Sequence, residues 1–278
     1  MPQDTYKTTD LEILVATMDR TSLDFLYRMF SKSGMNGFKV LIVNQTDKNS
    51  ILESSDPDIR VLNCFEKGIS KSRNVAIKNA IGPICFNTDD DVVFIKGFAE
   101  IIVNAYNNFK YSIITFKTLT TQNKDYWKYP NKAMEHNSFV TQKTLSIEIS
   151  FKISEIKNKN LFFDERFGLG AQFEDAENFI FLSDARKKGL IPFFCPEYIT
   201  VHPPLSSSDA VETDRLLYAK AAIKTYAYKN FSYLWVLKFV FFIYRKDYIS
   251  FSQVPHKIKV GLKSIADYKK TISNENDH

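Results

Sequence analysis

Three aspartates stand in a row in the stretch ICFNTDDDVVF, directly after an apolar run that is typical of a buried strand. Adjacent carboxylates repel one another, so Asp89, Asp90 and Asp91 are useful together only where a positive charge lies beside them. Mg²⁺ and Mn²⁺ take hard oxygen ligands, and Mg²⁺ commonly binds one or two carboxylates together with substrate phosphates. The pattern alone leaves two interpretations open: a metal site, or an acidic turn that caps the following helix.

A second polar stretch, GISKSRNVAIKNA, precedes the aspartates and opens a predicted helix. Gly68 permits a tight turn, and polar side chains that include Ser72 and Arg73 crowd the first turns of this helix. The amino terminus of a helix favours anions, and Arg73 adds a fixed positive charge. The stretch therefore predicts an anion-binding helix start, with a well-capped surface helix as the alternative.

The elements that must position these residues alternate between strands and helices. Apolar runs predict strands at residues 11–16, 38–46, 59–65 and 84–88. Helical spacing lies between them, as in the helix from about residue 70 that Gly82 and Pro83 close. This alternation predicts an α/β domain with a mostly parallel, doubly wound central sheet flanked by helices, in which ligands bind outside the carboxyl ends of the strands. The aspartate run lies at such an end.

The stretches 68–80 and 84–94, followed by FDERFGLGAQFEDAENFIFLSDARKKG, resemble the motifs of family 2 glycosyltransferases, which have the GT-A fold. Three motifs in this order are more specific than any one of them. The resemblance implies an inverting transfer of a sugar from a nucleotide-diphosphate donor, with a UDP-sugar preferred, to a hydroxyl of a glycan or lipid-linked glycan. It also implies Mn²⁺ or Mg²⁺ as cofactor, and a role in surface polysaccharide biosynthesis in the cytoplasm or at the inner face of the cell membrane.

The same resemblance implies particular site residues. The donor-binding residues lie at strand ends, at the helix start and in the aspartate run: Thr17, Asp19, Asn44, Gly68, Ser72, Arg73, Asp89 and Asp90. The metal ligands are Asp91, Asp89 and His202. His202 follows the predicted strand IPFFCPEYITV, and neutral imidazole suits Mn²⁺, although a lone histidine is more often a surface or core residue. Tyr126, Trp127 and Tyr129 lie in a polar loop, where they would stack on sugars or serve packing alone.

The catalytic base is the point at which the chain departs from the family. An acceptor hydroxyl has a pKa far above 7, so a carboxylate must take its proton, a contribution of about 10²- to 10⁴-fold. The family usually has a Glu-Asp pair at a helix start, and counting back from KKG places Glu177 and Asn178 there. Asparagine cannot act as a base, so the candidates are Glu177 and Asp175, with Glu177 slightly favoured because the downstream match has no gap. Helix N-terminal acids that the dipole favours are the alternative for Asp175.

The length of 278 residues fits one large domain or two small ones, and the resemblance implies one GT-A domain with an extension. Residues 1–230 are predicted to form the GT-A domain, in which 11–119 bind the donor and 120–230 bind the acceptor. Residues 231–278 are predicted to form a helical extension. Its first part, FSYLWVLKFVFFIYRK, is too short to span a bilayer and ends in two basic residues. This segment predicts either attachment to an anionic membrane surface or a helix that packs in the core.

Charge and cysteine content exclude other classes of function. A dispersed net charge of +5 does not indicate a nucleic-acid partner. The three cysteines are far apart and indicate neither a disulfide framework nor a zinc site, which favours a reducing cytosolic compartment. No secretory leader or spanning segment is expected. Two alternatives to a glycosyltransferase remain. One is a non-catalytic nucleotide-sugar-binding protein. The other is a nucleotidyltransferase, which is disfavoured because it would need a Gly-rich, Lys-bearing loop where the chain has ATMDRTSLDF.

Overall fold

The structure is a computed structural model that describes residues 5–204 and 212–276. The chain divides into two compact units. The first comprises Met1–Glu165 and Glu177–Pro204, and the second comprises Arg166–Ala176 and Leu205–His278. The first unit holds the sheet, and the second holds the C-terminal helices.

Strands and helices are interspersed through the first unit. The strands are β1 (Leu11–Met18), β2 (Lys39–Gln45), β3 (Ile59–Cys64), β4 (Ile84–Asp89), β5 (Val93–Phe94), β6 (Ile113–Thr120), β7 (Met134–Glu135), β8 (Ile149–Lys152) and β9 (Pro192–His202). The helices of this unit are α1 (Asp24–Met29), α2 (Ile69–Asn79), α3 (Phe98–Asn108), α4 (Ser138–Lys143), α5 (Ile153–Asn158) and α6 (Glu177–Lys187). The helices of the second unit are α7 (Asp214–Tyr228), α8 (Ser232–Arg245) and α9 (Val254–Asn276).

The strands form one sheet in the order β3-β2-β1-β4-β8-β6-β9-β5, with β7 paired to β9. The four strands at the β3 end are all parallel to one another, as the βαβ alternation predicts. Beyond β4 the sheet is mixed, because β8 runs antiparallel to both β4 and β6 while β9 is parallel to β6. The α/β fold with a helix-flanked central sheet is therefore confirmed, with a wholly parallel half at β1 to β4 and a mixed half beyond it.

Hydrophobic layers cover both faces of this sheet. Side chains alternate between the two faces of a strand, so Ile13 and Val15 of β1 join the core that contains α1 and α3. Leu14, between them, joins the core that contains α2, α5 and α6. Strands that are buried on both faces read as continuous apolar runs, which explains the sequence LEILVA.

The second unit has a core of its own. Leu217 of α7, Val236 and Val240 of α8, and Ile265 of α9 form one buried cluster. Helices α8 and α9 approach closely at Gly261, where an added Cβ would lie 2.5 Å from Cγ1 of Val236. Helix α7 thus packs with the C-terminal helices, although the predicted boundary after residue 230 would separate it from them. Among the described residues, no helix combines the length and the apolar character needed to cross a membrane.

Candidate active site

Three parallel strands bring the predicted donor-binding residues to one edge of the sheet. Thr17 of β1 is paired in register with Asn44 of β2, and Ala16 with Asp89 of β4. Helix α2 begins after β3 at Gly68, whose φ of 127° is a conformation that side chains rarely allow. Strand carboxyl ends and this helix start therefore meet at the same edge, as the βαβ alternation predicts.

Arg73 joins two carboxylates that lie far apart in the sequence. Its side chain is only 3% exposed, and its two terminal nitrogens donate to Oδ1 of Asp89 at 3.0 Å and Oε1 of Glu177 at 2.8 Å. A weaker contact of 3.5 Å reaches Oδ1 of Asn178. Burial alone would lower the pKa of the guanidinium, but Asp89 and Glu177 more than offset this and raise it. Arg73 is therefore a permanent cation between the aspartate run and the start of α6.

Each of the three aspartates has different partners. Asp89 accepts a second hydrogen bond, at 3.1 Å, from the hydroxyl of Ser146. The carboxylate of Asp90 accepts from the hydroxyl of Thr17 and from Nε of Arg20, the latter at 2.7 Å. The carboxylates of Asp89 and Asp90 are thus both engaged by groups of the protein.

Asp91 and His202 form a pair of their own. Nε2 of His202 lies 3.2 Å from Oδ2 of Asp91, and Nδ1 lies 2.6 Å from the carbonyl oxygen of Pro203. The hydrogen bond with His202 lowers the pKa of Asp91. Burial would lower the pKa of His202, but the bond and charge of Asp91 raise it overall. A carbonyl only accepts, so Nδ1 carries a proton and Nε2 is the nitrogen that faces Asp91.

The Asp91–His202 pair fits two ligands of one divalent cation. Ligands on adjacent vertices of an octahedron lie about 3 Å apart when each is about 2.1 Å from the ion, and the pair is separated by 3.2 Å. A histidine that ligates a metal normally donates its other ring N–H to a fixed acceptor, as Nδ1 does here. Within residues 5–204 and 212–276, however, no three His, Cys, Asp or Glu side chains form a metal-binding group. Asp89, the third predicted ligand, contacts Arg73 and Ser146 instead.

The other predicted donor-binding residues hold the backbone at this edge. The Asn44 side chain accepts from the backbone N–H of Arg20 and donates to its carbonyl, which fixes the loop after β1. In the same loop Asp19 has a φ of 52° and donates its backbone N–H to Gln45. The N–H of Gly68 donates to the Gln45 side chain at 2.6 Å, and the hydroxyl of Ser72 donates within its own helix. Ser72 and Asn44 thus shape the site through the backbone.

The two candidate bases belong to different units. Glu177 is the first residue of α6 in the first unit, with its side chain 14% exposed beside Arg73. Asp175 belongs to the second unit, where its Oδ1 accepts from the backbone N–H of Ala176 at 2.7 Å. Ala176 has a φ of 66°, which is rare for a residue with a side chain. The structure joins Glu177 to the aspartate run through Arg73.

Several contacts of the site were not predicted from the sequence. Arg20 binds Asp90, and Arg28 donates to the Asp90 carbonyl at 3.1 Å. The contact of Arg20 with Asp90 could have been predicted, because Arg20 directly follows Asp19, a predicted donor-binding residue. Nothing in the sequence indicates the contact between Ser146 and Asp89, because Ser146 lies 57 residues after Asp89 in an apolar run.

The aromatic residues Tyr126, Trp127 and Tyr129 do not all lie where they could stack on a sugar. Tyr129 is buried and donates to Glu148, and Trp127 packs against Tyr129 with ring centroids 4.1 Å apart and the ring planes tilted by 44°. Burial raises the pKa of Glu148 to about 8. Tyr126 lies near the site, 5.7 Å from the ring of His202. Tyr129 therefore serves packing, and Tyr126 is the member of the loop that borders the Asp91–His202 pair.

An α/β sheet with carboxylates at its strand ends, an anion-favouring helix start and a buried arginine between them defines a GT-A glycosyltransferase fold. The model of the family described as Glycosyl transferase family 2 matches residues 36–170. The match covers 135 of the 278 residues, and over this range the chain is similar to family 2 glycosyltransferases.

Solved structures of the S. aureus protein TarS share the fold. TarS 1-349 is 14% identical with a TM-score of 0.55, and the match covers 93% of this chain and 80% of that one. The complex of TarS 1-349 with UDP-GlcNAc gives the same identity and coverage with a TM-score of 0.56. Its complex with UDP is 16% identical, with a TM-score of 0.52 and coverage of 96% and 91%. A search of curated proteins found no match.

Proposed function

We propose that this glycosyltransferase moves a sugar from a UDP-sugar to a hydroxyl of a glycan or lipid-linked glycan, with inversion at the anomeric carbon. The observation that carries the proposal is the bridge of Arg73 between Asp89 and Glu177, because it ties the strand end of the donor half to the acid at the start of α6. The TarS complexes with UDP and UDP-GlcNAc support UDP as the nucleotide. Surface polysaccharide biosynthesis on the cytoplasmic side of a membrane is the setting that we propose.

The donor would lie along the carboxyl ends of β1, β2 and β4. The loop after β1, held by Asn44, borders the base and ribose, while the first N–H groups of α2 face the diphosphate. Thr17 and Arg20 hold the carboxylate of Asp90, so this side chain has a fixed orientation before the donor binds. Such preorganisation lowers the free-energy cost of binding and of reaction.

Asp91 and His202 would hold Mn²⁺ or Mg²⁺ beside the donor. A bound divalent cation neutralises the charge that grows on the nucleoside diphosphate as it leaves. His202 would present Nε2, because its Nδ1 bonds to the Pro203 carbonyl, and Asp91 would present Oδ2.

Glu177 is the group that we assign as base. Oε1 accepts the hydrogen bond from Arg73, which orients the carboxylate, and Oε2 takes the proton from the acceptor hydroxyl. As the hydroxyl oxygen bonds to the anomeric carbon, the bond from that carbon to the diphosphate breaks, and the diphosphate leaves with the electron pair. Asp175 is the second candidate for this role.

A donor screen tests the proposal. Thermal unfolding is measured with UDP, GDP and TDP, each with and without Mn²⁺, because a ligand that binds only the folded state raises the unfolding temperature. Hydrolysis of UDP-sugars by the same preparation then measures turnover. We expect stabilisation by UDP with Mn²⁺ and slow donor hydrolysis. If no nucleoside diphosphate stabilises the protein, the proposed function is refuted.

A non-catalytic nucleotide-sugar-binding protein is the second candidate. It is favoured by Asn178, which stands where the family has an acid, and by the ion pair that engages Glu177. This candidate predicts stabilisation by UDP-sugars without hydrolysis or transfer to any acceptor. Turnover that disappears in Glu177→Gln would exclude it.

A further inference from the structure

The exposed side of α8 is a stripe of large apolar side chains. Phe231, just before the helix, is 77% exposed, Leu234 is 65% exposed and Phe241 is 59% exposed. Residues three and four apart lie on the same face of a helix, so these side chains form one surface. We define the outward face of α8 by six residues: Phe231, Leu234, Leu237, Lys238, Phe241 and Arg245. An apolar surface of this kind marks a site of interaction.

The opposite side of α8 is already packed. Val236, Val240 and Ile243 are buried in the core that α8 shares with α7 and α9. The helix has 14 residues. At about 1.5 Å per residue its length is about 21 Å, well short of the roughly 30 Å of a bilayer core. The helix is therefore too short to span a membrane, and its outward face is the side that is exposed to solvent.

The two charged residues of this face, Lys238 and Arg245, are both basic. Between Asp214 and Asp247 the chain has seven basic residues and no acidic residue. Lys238 and Arg245 lie on the outward face itself, and the guanidinium carbon of Arg245 is 5.9 Å from the centre of the Phe241 ring. Long basic side chains lay their stems along apolar surface while their charged ends reach the polar layer. The surface thus combines apolar contact with a local positive potential.

We propose that the outward face of α8 binds the surface of an anionic phospholipid bilayer, with its apolar side chains at the acyl boundary and its cations among the phosphates. Amphipathic helices that lie in a membrane interface have this combination of groups. Tyr233 of α8 and Tyr248, shortly after the helix, are 41% and 50% exposed, and tyrosines are enriched at membrane interfaces. A second copy of the chain fits less well, because a two-fold contact would place Lys238 and Arg245 of both copies together without an acid to pair.

Vesicle binding by the full chain tests this inference. Co-sedimentation is measured with vesicles of phosphatidylcholine alone and of phosphatidylcholine mixed with phosphatidylglycerol, at low and high salt. We expect binding to the anionic vesicles that weakens with salt. The double variant Leu234→Asp with Phe241→Asp should lose about tenfold or more in affinity, because it removes apolar contact and adds negative charge. Lys238→Gln and Arg245→Gln should each lose about fivefold.

Matched controls separate the face from general effects. Ile81→Asp replaces an exposed apolar residue of the first unit, and Lys110→Gln replaces an exposed lysine there. Both controls should bind vesicles as the wild type does, and all variants should keep the wild-type circular dichroism and unfolding temperature because every change is at an exposed position.

The inference is overturned if the wild type fails to bind anionic vesicles at low salt, or if the double variant binds them as tightly as the wild type does. It is also overturned if the wild type is a dimer in sedimentation velocity and the double variant a monomer, since a second copy would then cover the face. These outcomes do not depend on nucleotide binding, so they are independent of the proposed function.

Discussion

Replacing Arg73 by alanine should destabilise the first unit and disable its active site. The change removes the ion-pair partner of Glu177, whose side chain is 14% exposed, and one partner of Asp89, whose side chain is 34% exposed. Removing one partner of a buried ion pair costs roughly 3–5 kcal/mol, because the other charge stays desolvated. Asp89 keeps part of its hydration, so we expect the lower value, about 3 kcal/mol in the free energy of unfolding.

Two measurements test this prediction. The unfolding temperature of the first unit should fall by about 6–12 °C, since 1 kcal/mol corresponds to about 2–4 °C for proteins of comparable size. Turnover of a UDP-sugar is measured well below the unfolding temperatures of the wild type and the variant. It should fall by about 10²-fold, because Arg73 no longer positions the carboxylates of Asp89 and Glu177. Arg73→Lys should lose less stability, because one ammonium group reaches one carboxylate well but cannot match the planar guanidinium fork.

Arg60 offers a matched control. Its guanidinium binds Oε1 of the fully buried Glu12 at 2.6 Å, at the amino-terminal end of the strands and away from the site. In the described part of the chain, Nε of Arg60 and Nε of Arg73 are the two buried side-chain atoms without a hydrogen-bond partner. Arg60→Ala should therefore lower the unfolding temperature and leave turnover unchanged. Equal loss of turnover in both variants, or an unchanged unfolding temperature in Arg73→Ala, would refute the reasoning.

Three further predictions concern single side chains. Glu177→Gln should lower turnover by about 10²- to 10⁴-fold with UDP binding unchanged, whereas Asp175→Asn should leave turnover unchanged. Asp91→Asn and His202→Ala should each abolish the additional thermal stabilisation that Mn²⁺ gives in the presence of UDP, an effect that excess EDTA should reproduce in the wild type. Because burial raises the pKa of Glu148 to about 8, the folded state binds more protons than the unfolded state between about pH 4.5 and 8, and stability falls as pH rises through this window. Glu148→Gln should remove this dependence, a gain over the wild type of up to about 4 kcal/mol between pH 5 and 8 in urea unfolding.

Each of these predictions has a contrary result. Loss of turnover in Asp175→Asn together with normal turnover in Glu177→Gln would transfer the role of base to Asp175. Full Mn²⁺ stabilisation in Asp91→Asn would exclude the assigned metal site. Parallel pH profiles of unfolding for the wild type and Glu148→Gln would show that the carboxyl of Glu148 ionises as readily in the folded chain as in the unfolded one.

The sequence predicted the donor half of the fold well because its signals are local. Apolar runs and helical spacing predicted β1 to β4 and α2 close to their observed bounds. The strands of the mixed half of the sheet, beyond β4, are harder to predict from the sequence. The apolar alternation in TLSIEISFKI indicates a single strand, but its first part is a 3-10 turn at Ser146–Glu148 before the short antiparallel β8. Strand direction depends on the partner that the strand meets, and a short apolar run carries no information about that partner.

The sequence also left the character of α8 open between a core helix and a membrane surface. In the structure the helix has one side of each kind, since Val236 and Val240 are buried while Leu234 and Phe241 are exposed. A segment that is apolar on every side gives no periodicity from which its buried side can be predicted. Only the position of α7 and α9 decides which side is covered.

The sequence by itself determined where the acids and the helix start lie, because both are set by local patterns at the ends of strands. Only the tertiary structure decided what each carboxylate binds. Asp89, Asp90 and Asp91 are consecutive, yet their side-chain partners come from Ser146, Thr17 and His202, which lie 57, 73 and 111 residues away. Successive side chains at a strand end point in different directions, so neighbours in the sequence meet different elements of the fold. Three acids that look equivalent in the sequence therefore differ in charge environment, and only one of them pairs with His202.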